Sequence, residues 1–325
     1  MSRKSSSPAS SGTALHPRNR HQGSYNLPTL SRVFPALKAH IIKTTAGTLS
    51  IDFADPGAVK ALNSALLLEQ YDITNWDIPE GYLCPAVPGR ADYIHTLADL
   101  LGESHDGKIP TGPALRGLDI GTGANLIYPL LGWTEYEWQF VGSDIDQTAL
   151  QNAQRILDHN PMAGAHISLR HQSIAGQIFT GVVNQHDQFD FTLCNPPFHA
   201  SSADAEQGTR LKRRNLGQAV NSTKRSELNF GGRSNELICA GGEASFLAQM
   251  VEESRFIAQQ VFWFTSLVSR AANLPILQEQ LKDLAVQQVR VIPMAQGNKR
   301  SRLLAWSFLD KKQRRAWRRS RWSEI

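Results

Sequence analysis

From residue 115 onward, short apolar runs alternate with amphipathic stretches. Residues 115–121, 138–145, 166–171 and 189–195 read as strands, and 146–159, opened by an acidic residue, reads as a helix. Residues 244–259 follow as a helix. Residues 261–268 form a continuous apolar and aromatic run, the mark of a parallel strand buried on both faces. A helix over 274–284 and strands over 286–293 and 303–309 complete the series. Strands alternating with helices predict an α/β fold built on a doubly wound, mostly parallel sheet. The short link 294–302 suits an antiparallel pair better than a crossover, so the last strand is expected to run antiparallel.

Upstream the rhythm differs. Residues 14–110 mix short apolar runs with Pro and Gly, with helices expected over 58–68 and 93–101 and no strand–helix alternation. This predicts an N-terminal, mainly helical extension before a domain spanning 111–310. Residues 1–13, Ser-rich with Arg3 and Lys4, read as a disordered tail without the apolar core of a secretory signal. Residues 199–242 lack sustained apolar periodicity over 44 residues; so long a loop is expected to serve the substrate.

The chain has 325 residues, 41% hydrophobic and 19% charged, enough for a sizeable core. No apolar run approaches the ~20 residues that span a bilayer. Cys84, Cys194 and Cys239 are far apart and show no metal-ligand spacing, so no metal is expected and the thiols read as reduced, in a cytoplasmic protein. Charge is unevenly placed. Residues 1–51 hold seven Lys/Arg and no acid; 311–325 hold seven and one acid; the body between is net −8. Basic ends on an acidic body point to a polyanion such as nucleic acid.

Two motifs carry chemistry. In Asp119-Ile120-Gly121-Thr122-Gly123, glycines at the end of the first strand let a ligand approach the backbone. Position 126 is Leu where a dinucleotide fingerprint has its third glycine, which favours S-adenosylmethionine over NAD. Asp144, 21 residues beyond Gly123, is placed to accept from a ribose diol, with Asp146 as rival or as a helix cap. The second motif, Asn195-Pro196-Pro197-Phe198, ends the fourth strand, beside the first. Its prolines preclude ordinary sheet pairing. The Asn195 side-chain oxygen and the Pro196 carbonyl can accept the two hydrogens of an exocyclic NH2, turning the nitrogen lone pair towards a methyl sulfonium. Phe198 offers a stacking face worth roughly 1–3 kcal/mol. Deamination would need a zinc ligand set and a catalytic Glu, a pattern the sequence lacks.

The strings Leu15-His16-Pro17-Arg18-Asn19-Arg20-His21, Arg90-Ala91-Asp92-Tyr93-Ile94-His95, Leu118–Asn125, Cys194-Asn195-Pro196-Pro197-Phe198-His199 and Gly241-Gly242-Glu243 together resemble the ribosomal RNA large subunit methyltransferase F family, with the methyltransferase-like-16 enzymes as relatives. The resemblance covers about residues 15–309. It implies a class I, Rossmann-like fold, S-adenosylmethionine as cofactor, and N6-methylation of adenine 1618 in 23S rRNA, free or in a large-subunit assembly intermediate. It also implies cofactor contacts at Arg90, Gly121, Asn125, Asp144 and Ser173, alongside Asp119, Gly123 and Asn195. Alternatives are a DNA adenine or protein glutamine methyltransferase, and a non-enzymatic RNA-binding assembly factor.

RNA contacts are expected at Arg18 and Arg20, at Arg213 and Arg214 in the long loop, and at Arg315 and Arg318 in the tail 311–325. That tail interleaves seven cations with Trp317 and Trp322, a composition able to pair phosphates and stack on bases.

Overall fold

In the computed structural model the described residues are 15–174, 176–197, 239–296 and 299–322, and every structural statement below concerns these. Helix α1 (Leu27–Val33) is capped by Asn26, whose side chain accepts from the Thr29 N–H. A small antiparallel hairpin follows, β1 (Ile41–Lys43) with β2 (Leu49–Ile51). It stands inside the region read as mainly helical; runs of three residues are too short to show a period of two. Helix α2 (Pro56–Tyr71) starts where Asp55 accepts from the Gly57 N–H at 2.9 Å, with Pro56 in the first turn. Helix α3 (Val87–Glu103) starts six residues earlier than expected, because Pro88 falls in its first turn, where no N–H is required.

The sheet contains β3 (Arg116–Ile120), β4 (Gln139–Asp144), β5 (Ile167–His171), β6 (Phe189–Cys194), β7 (Val261–Val268), β8 (Gln288–Gln296) and β9 (Lys299–Ser307). Their order is β5-β4-β3-β6-β7-β9-β8; the first five are parallel, and β9 runs antiparallel between β7 and β8. The expected link 294–302 is mostly strand, since the β8–β9 pairing continues to Gln296 opposite Lys299. All eight residues of β7 are buried, as a strand covered on both faces requires. A Cβ at Gly117 would stand 2.2 Å from the Phe191 ring, so only glycine lets that ring close over β3.

Helices α4 (Ile127–Tyr136), α5 (Gln147–His159), the short α6 (Pro161–Gly164), α7 (Gly242–Ser254), α8 (Leu274–Asp283) and α9 (Lys311–Arg321) complete the chain. One apolar cluster joins α2, α3 and α4 to the sheet and takes in Trp317 and Trp322 of the C-terminal segment. A second, built with α7 and α8, includes Phe264 and Trp306. Helices on both faces make the sheet doubly wound. No helix among the described residues is long and apolar enough to cross a membrane.

Candidate functional site

Parallel pairing sets Cys194 level with Ile120, so Asn195 and Gly121 are the first residues past the carboxyl ends of adjacent strands. A cavity opens there, where such sheets bind ligands. Of the expected residues, Arg90, Gly121, Gly123, Asn125, Asp144, Asn195 and Pro197 line it.

The turn after β3 is held by β4. The N–H groups of Gly121 and Thr122 both donate to the Ser143 carbonyl at 2.9 Å, and the Gly123 N–H donates to Asp144 Oδ2 at 2.8 Å. Gly121 has φ +71°, and a Cβ built on it would meet nothing within 4 Å, so the turn presents bare backbone to open space. Asp144 Oδ1 accepts from the Asp146 N–H at 2.9 Å, and burial raises the Asp144 pKa above its ordinary value. Asp146 caps α5 by accepting from Thr148 and Ala149, and also accepts from the Tyr82 hydroxyl at 2.8 Å. The capping alternative for Asp146 therefore describes its position. Asn125 turns its side-chain oxygen to the Ile127 N–H at 3.1 Å and its backbone carbonyl to the Trp76 indole at 2.8 Å.

Three polar side chains here, Asp119, Thr122 and Asn195, hold buried atoms without a hydrogen bond. Asp119 is 1% exposed; the Thr122 hydroxyl beside it works to lower its pKa, but neither carboxylate oxygen has a donor in good hydrogen-bond geometry. It stands close enough to Arg90, Asp144 and Cys194 for their charges to interact, and burial pushes its pKa up to about 7. The Asn195 side-chain oxygen is likewise buried and unpartnered. Orphaned acceptors of this kind are costly unless a ligand satisfies them. Arg90 donates to the Tyr128 hydroxyl at 2.9 Å and faces the same space. A guanidinium, a strand-end carboxylate and a bare glycine turn line the cavity, and the Asp119 carboxylate lies buried behind that lining; the set fits a ligand joining a zwitterionic amino acid to a nucleoside.

Helix α3 brings Arg90 and Tyr93 to one face, three residues apart. Arg90 reaches the cavity; Tyr93 reaches the strand behind it. The Cys194 N–H donates to the Tyr93 oxygen at 3.4 Å, the Tyr93 hydroxyl meets Thr265 Oγ1 at 2.9 Å, and Thr265 Oγ1 donates to the Thr192 carbonyl at 2.6 Å. The buried Glu253 of α7 accepts from the N–H groups of Ile178 and Phe179, each at 2.9 Å, and so fixes the loop that forms another wall. Glu243 accepts from the Arg270 N–H at 3.0 Å and the Asn273 amide at 2.7 Å, tying α7 to the segment after β7.

Other expected residues lie elsewhere. Ser173 is exposed and outside the lining; its neighbour Gln172, buried, lines the cavity instead, because side chains alternate sides along an extended segment. Pro196 is buried but is not part of the lining. Phe198, Arg213 and Arg214 lie outside the described residues. Gln177, Ile178 and Phe246 belong to the wall and were not anticipated; all are remote in sequence from both motifs.

Arg18 and Arg20, expected at RNA, are engaged within the protein. Arg18 donates to Asp99 at 2.7 Å, the Tyr136 hydroxyl at 3.0 Å and the His95 carbonyl at 3.0 Å. Arg20 pairs with Glu135 at 2.8 Å. Together with Asn19, which donates to the Pro88 carbonyl at 2.8 Å, they strap the segment to α3 and α4. In the tail the expected stacking surface is corrected. Residues 311–321 are a helix opened by an Asp310–Gln313 capping box, and Trp317 and Trp322 are buried, so neither ring is available to a base. Arg318 donates to the Ser104 carbonyl at 2.6 Å, while Arg315 is exposed.

Comparison with known proteins agrees with this geometry. A family model described as RNA methyltransferase matches residues 9–310. Ribosomal RNA large subunit methyltransferase F of Pseudomonas aeruginosa (strain LESB58) is 59% identical over 321 residues, covering 99% of this chain and 94% of the relative. The protein of that name from Pseudomonas putida (strain W619) is 52% identical over 310 residues, covering 95% and 98%. Among solved structures, the hMettl16 catalytic domain in complex with MAT2A 3′UTR hairpin 1 superposes with a TM-score of 0.77 at 29% identity, over 92% of this chain and 97% of that one. The N-terminal domain of human METTL16 in complex with SAH gives 0.72 at 28% identity, over 91% and 99%. With a cavity at the strand ends and relatives matched along nearly its whole length, the chain belongs to the ribosomal RNA large subunit methyltransferase F family of RNA methyltransferases.

Proposed function

We propose that the chain methylates N6 of an adenine in large-subunit ribosomal RNA, adenine 1618 of 23S rRNA by family resemblance. The substrate would be the RNA itself or an assembly intermediate, met in the cytoplasm. One observation carries the reading: the Asn195 side-chain oxygen is buried without a partner on the wall of the cavity. An acceptor held there takes one hydrogen of an exocyclic amine; the Pro196 carbonyl, which must turn towards the cavity that Pro196 does not line, takes the other. The two fix the nitrogen and turn its lone pair to the methyl donor, so the work is orientation rather than proton transfer to a tuned base. Phe198 supplies the stacking face. S-adenosylmethionine supplies an electrophilic methyl group on a sulfonium.

The remaining residues divide the cofactor between them. Arg90 holds the carboxylate of its amino-acid end and Asp119 complements the ammonium charge. Gly121, Gly123 and Asn125 shape the turn that passes the chain of the ligand, and Asp144 accepts from the ribose diol. Apolar Ile145 and Ile178 line the same cavity and offer faces to a purine.

The test is Asn195→Ala, assayed with labelled cofactor on ribosomal RNA, on adenine-containing DNA duplex and on a glutamine peptide, with the product mapped. The wild type is expected to form N6-methyladenine in RNA alone. The variant should lose at least ~100-fold in rate, the scale of one preorganised active-site hydrogen bond, while its cofactor affinity stays within about threefold. Near-wild-type methylation by the variant would remove the mechanism; methyl transfer to DNA or peptide alone would move the reading to those alternatives.

A further inference from the structure

A second cleft lies between the end of α3, the start of α9 and β8. Six cations border it, Arg290, Lys311, Lys312, Arg314, Arg315 and Arg318, against two carboxylates, Glu103 and Asp106. Three features mark it as more than a solvated basic surface.

The first is Arg314. It is 6% exposed, and its guanidinium donates to the Phe262 carbonyl at 3.1 Å, Ser307 Oγ at 3.0 Å and Ser104 Oγ at 2.9 Å, all neutral acceptors. The charge lies 3.8 Å from the centre of the Phe262 ring and 4.4 Å from that of Trp263. Burial, then the charges of Arg318 and Arg290, work against its charged form. On the same helix Arg321 meets the Asp190 carboxylate at 2.9 Å, so α9 neutralises one inward arginine and leaves the other short of negative charge.

The second feature is the placing of Lys311 and Lys312. They occupy the first turn of α9, where the helix dipole disfavours cations, and no acidic residue stands in that turn. Helix stability alone does not call for them.

The third is position. Arg90, in the first turn of α3, lines the catalytic cavity, and Glu103, its last residue, borders the second cleft. Thirteen residues at 1.5 Å each separate the two by roughly 20 Å. A target nucleotide cannot reach both, but a folded RNA can. From residue 311 to 318 the cations follow the helix for roughly 10 Å, which suits a run of backbone phosphates better than one compact anion.

We propose that this cleft binds backbone phosphates of the RNA substrate at a distance from the methylated base. The proposal rests on the RNA-methylating reading above. Phosphate contacts position a nucleic acid without reading its sequence, so the cleft sets how the RNA lies while the catalytic cavity selects the base.

The experiment uses the full chain with Lys311→Gln, Lys312→Gln and Arg315→Gln combined, because these three are exposed and Gln is a good helix former. Binding is measured against salt for a long ribosomal RNA fragment and for a short hairpin carrying only the target loop. Each lost phosphate contact removes about 0.7–0.9 from the salt slope, so the slope on the long fragment should fall by roughly 2–3, with affinity down by about 10- to 100-fold at physiological salt. Binding and methylation of the short hairpin, and cofactor affinity by calorimetry, should not move. An unchanged slope and affinity on the long fragment would overturn the proposal. Tripolyphosphate is titrated in parallel: if its binding is lost in the variant while long-RNA binding persists, the cleft serves a small anion and the assignment to RNA falls. If the wild type methylates no RNA at all, the underlying reading fails first, and the proposal with it.

Discussion

The Trp322 indole N–H donates to Asp190 Oδ1 at 2.8 Å. The same oxygen accepts from the Trp317 indole at 2.7 Å, and Arg321 reaches Oδ2 at 2.9 Å. Asp190 is completely buried on β6, the strand that leads to Asn195. The C-terminal helix is thus locked onto the strand that presents the proposed catalytic motif, and Phe262 packs against both tryptophan rings, 6.0 Å from Trp317 and 4.8 Å from Trp322.

Removing the carboxylate should therefore cost more than a surface ion pair. Asp190→Ala leaves a guanidinium, two indole donors and the Arg116 N–H without their acceptor, a loss of about 3–5 kcal/mol for a broken buried pair. The urea midpoint is expected to fall accordingly, and deletion of 311–325 should give aggregation rather than a clean loss of RNA affinity. A variant that unfolds at the wild-type urea concentration would show that the clamp contributes nothing. For the same reason deletion of the tail cannot report on RNA binding; the exposed lysines must be changed singly or together.

That clamp also shows where the sequence was readable and where it was not. Strands β3, β4 and β6 stand out because each is an apolar run ended by Gly, Asp or Asn, and the unbroken apolar run 261–268 of β7 is recovered to the residue. The tail misleads by composition. Its cations suggest a solvated strip, yet Arg314, Trp317 and Arg321 recur at helical spacing and Asp310 with Gln313 spells a capping box. Arg18 and Arg20 find their acids 81 and 115 residues away, at Asp99 and Glu135, a pairing no local pattern can reveal. Ser173 fails by one residue: the strand end could be located but not the side each residue faces. The DIGTG turn and the Asn-Pro-Pro motif could be placed at the cavity because glycine turns and paired prolines mark strand ends in the sequence itself.

Tyr93 tests whether the N-terminal extension serves catalysis. Its hydroxyl links Thr265 to the N–H of Cys194, next to Asn195. Tyr93→Phe keeps the ring against Tyr128, 5.3 Å away, but removes the link. A net hydrogen-bond contribution near 1 kcal/mol, exerted on the orientation of Asn195, predicts a fall in kcat of about five- to tenfold. Cofactor affinity should hold within about twofold, because Arg90 is untouched. If kcat is unchanged, or if cofactor affinity falls in step with it, Tyr93 is a packing residue and no more.

Asp119 is expected to couple stability, cofactor binding and pH. Its folded-state pKa, near 7, lies above the ordinary 3.8, with burial as the main cause. Between those values the folded protein holds a proton that the unfolded chain gives up. The stabilising contribution is therefore complete below 3.8 and is lost as pH rises through 7. Asp119→Asn removes this loss, and the cofactor-free variant should melt above the wild type at pH 8. Binding the ammonium of S-adenosylmethionine favours the carboxylate and so expels the proton. Wild-type cofactor affinity should weaken as pH drops below about 7, by up to tenfold per unit, whereas the variant should bind more weakly with a flat profile. Calorimetry in buffers of different ionisation enthalpy counts the released proton directly. Wild-type affinity and an unchanged pH profile in Asp119→Asn would separate this carboxylate from the cofactor and leave its burial to the fold alone.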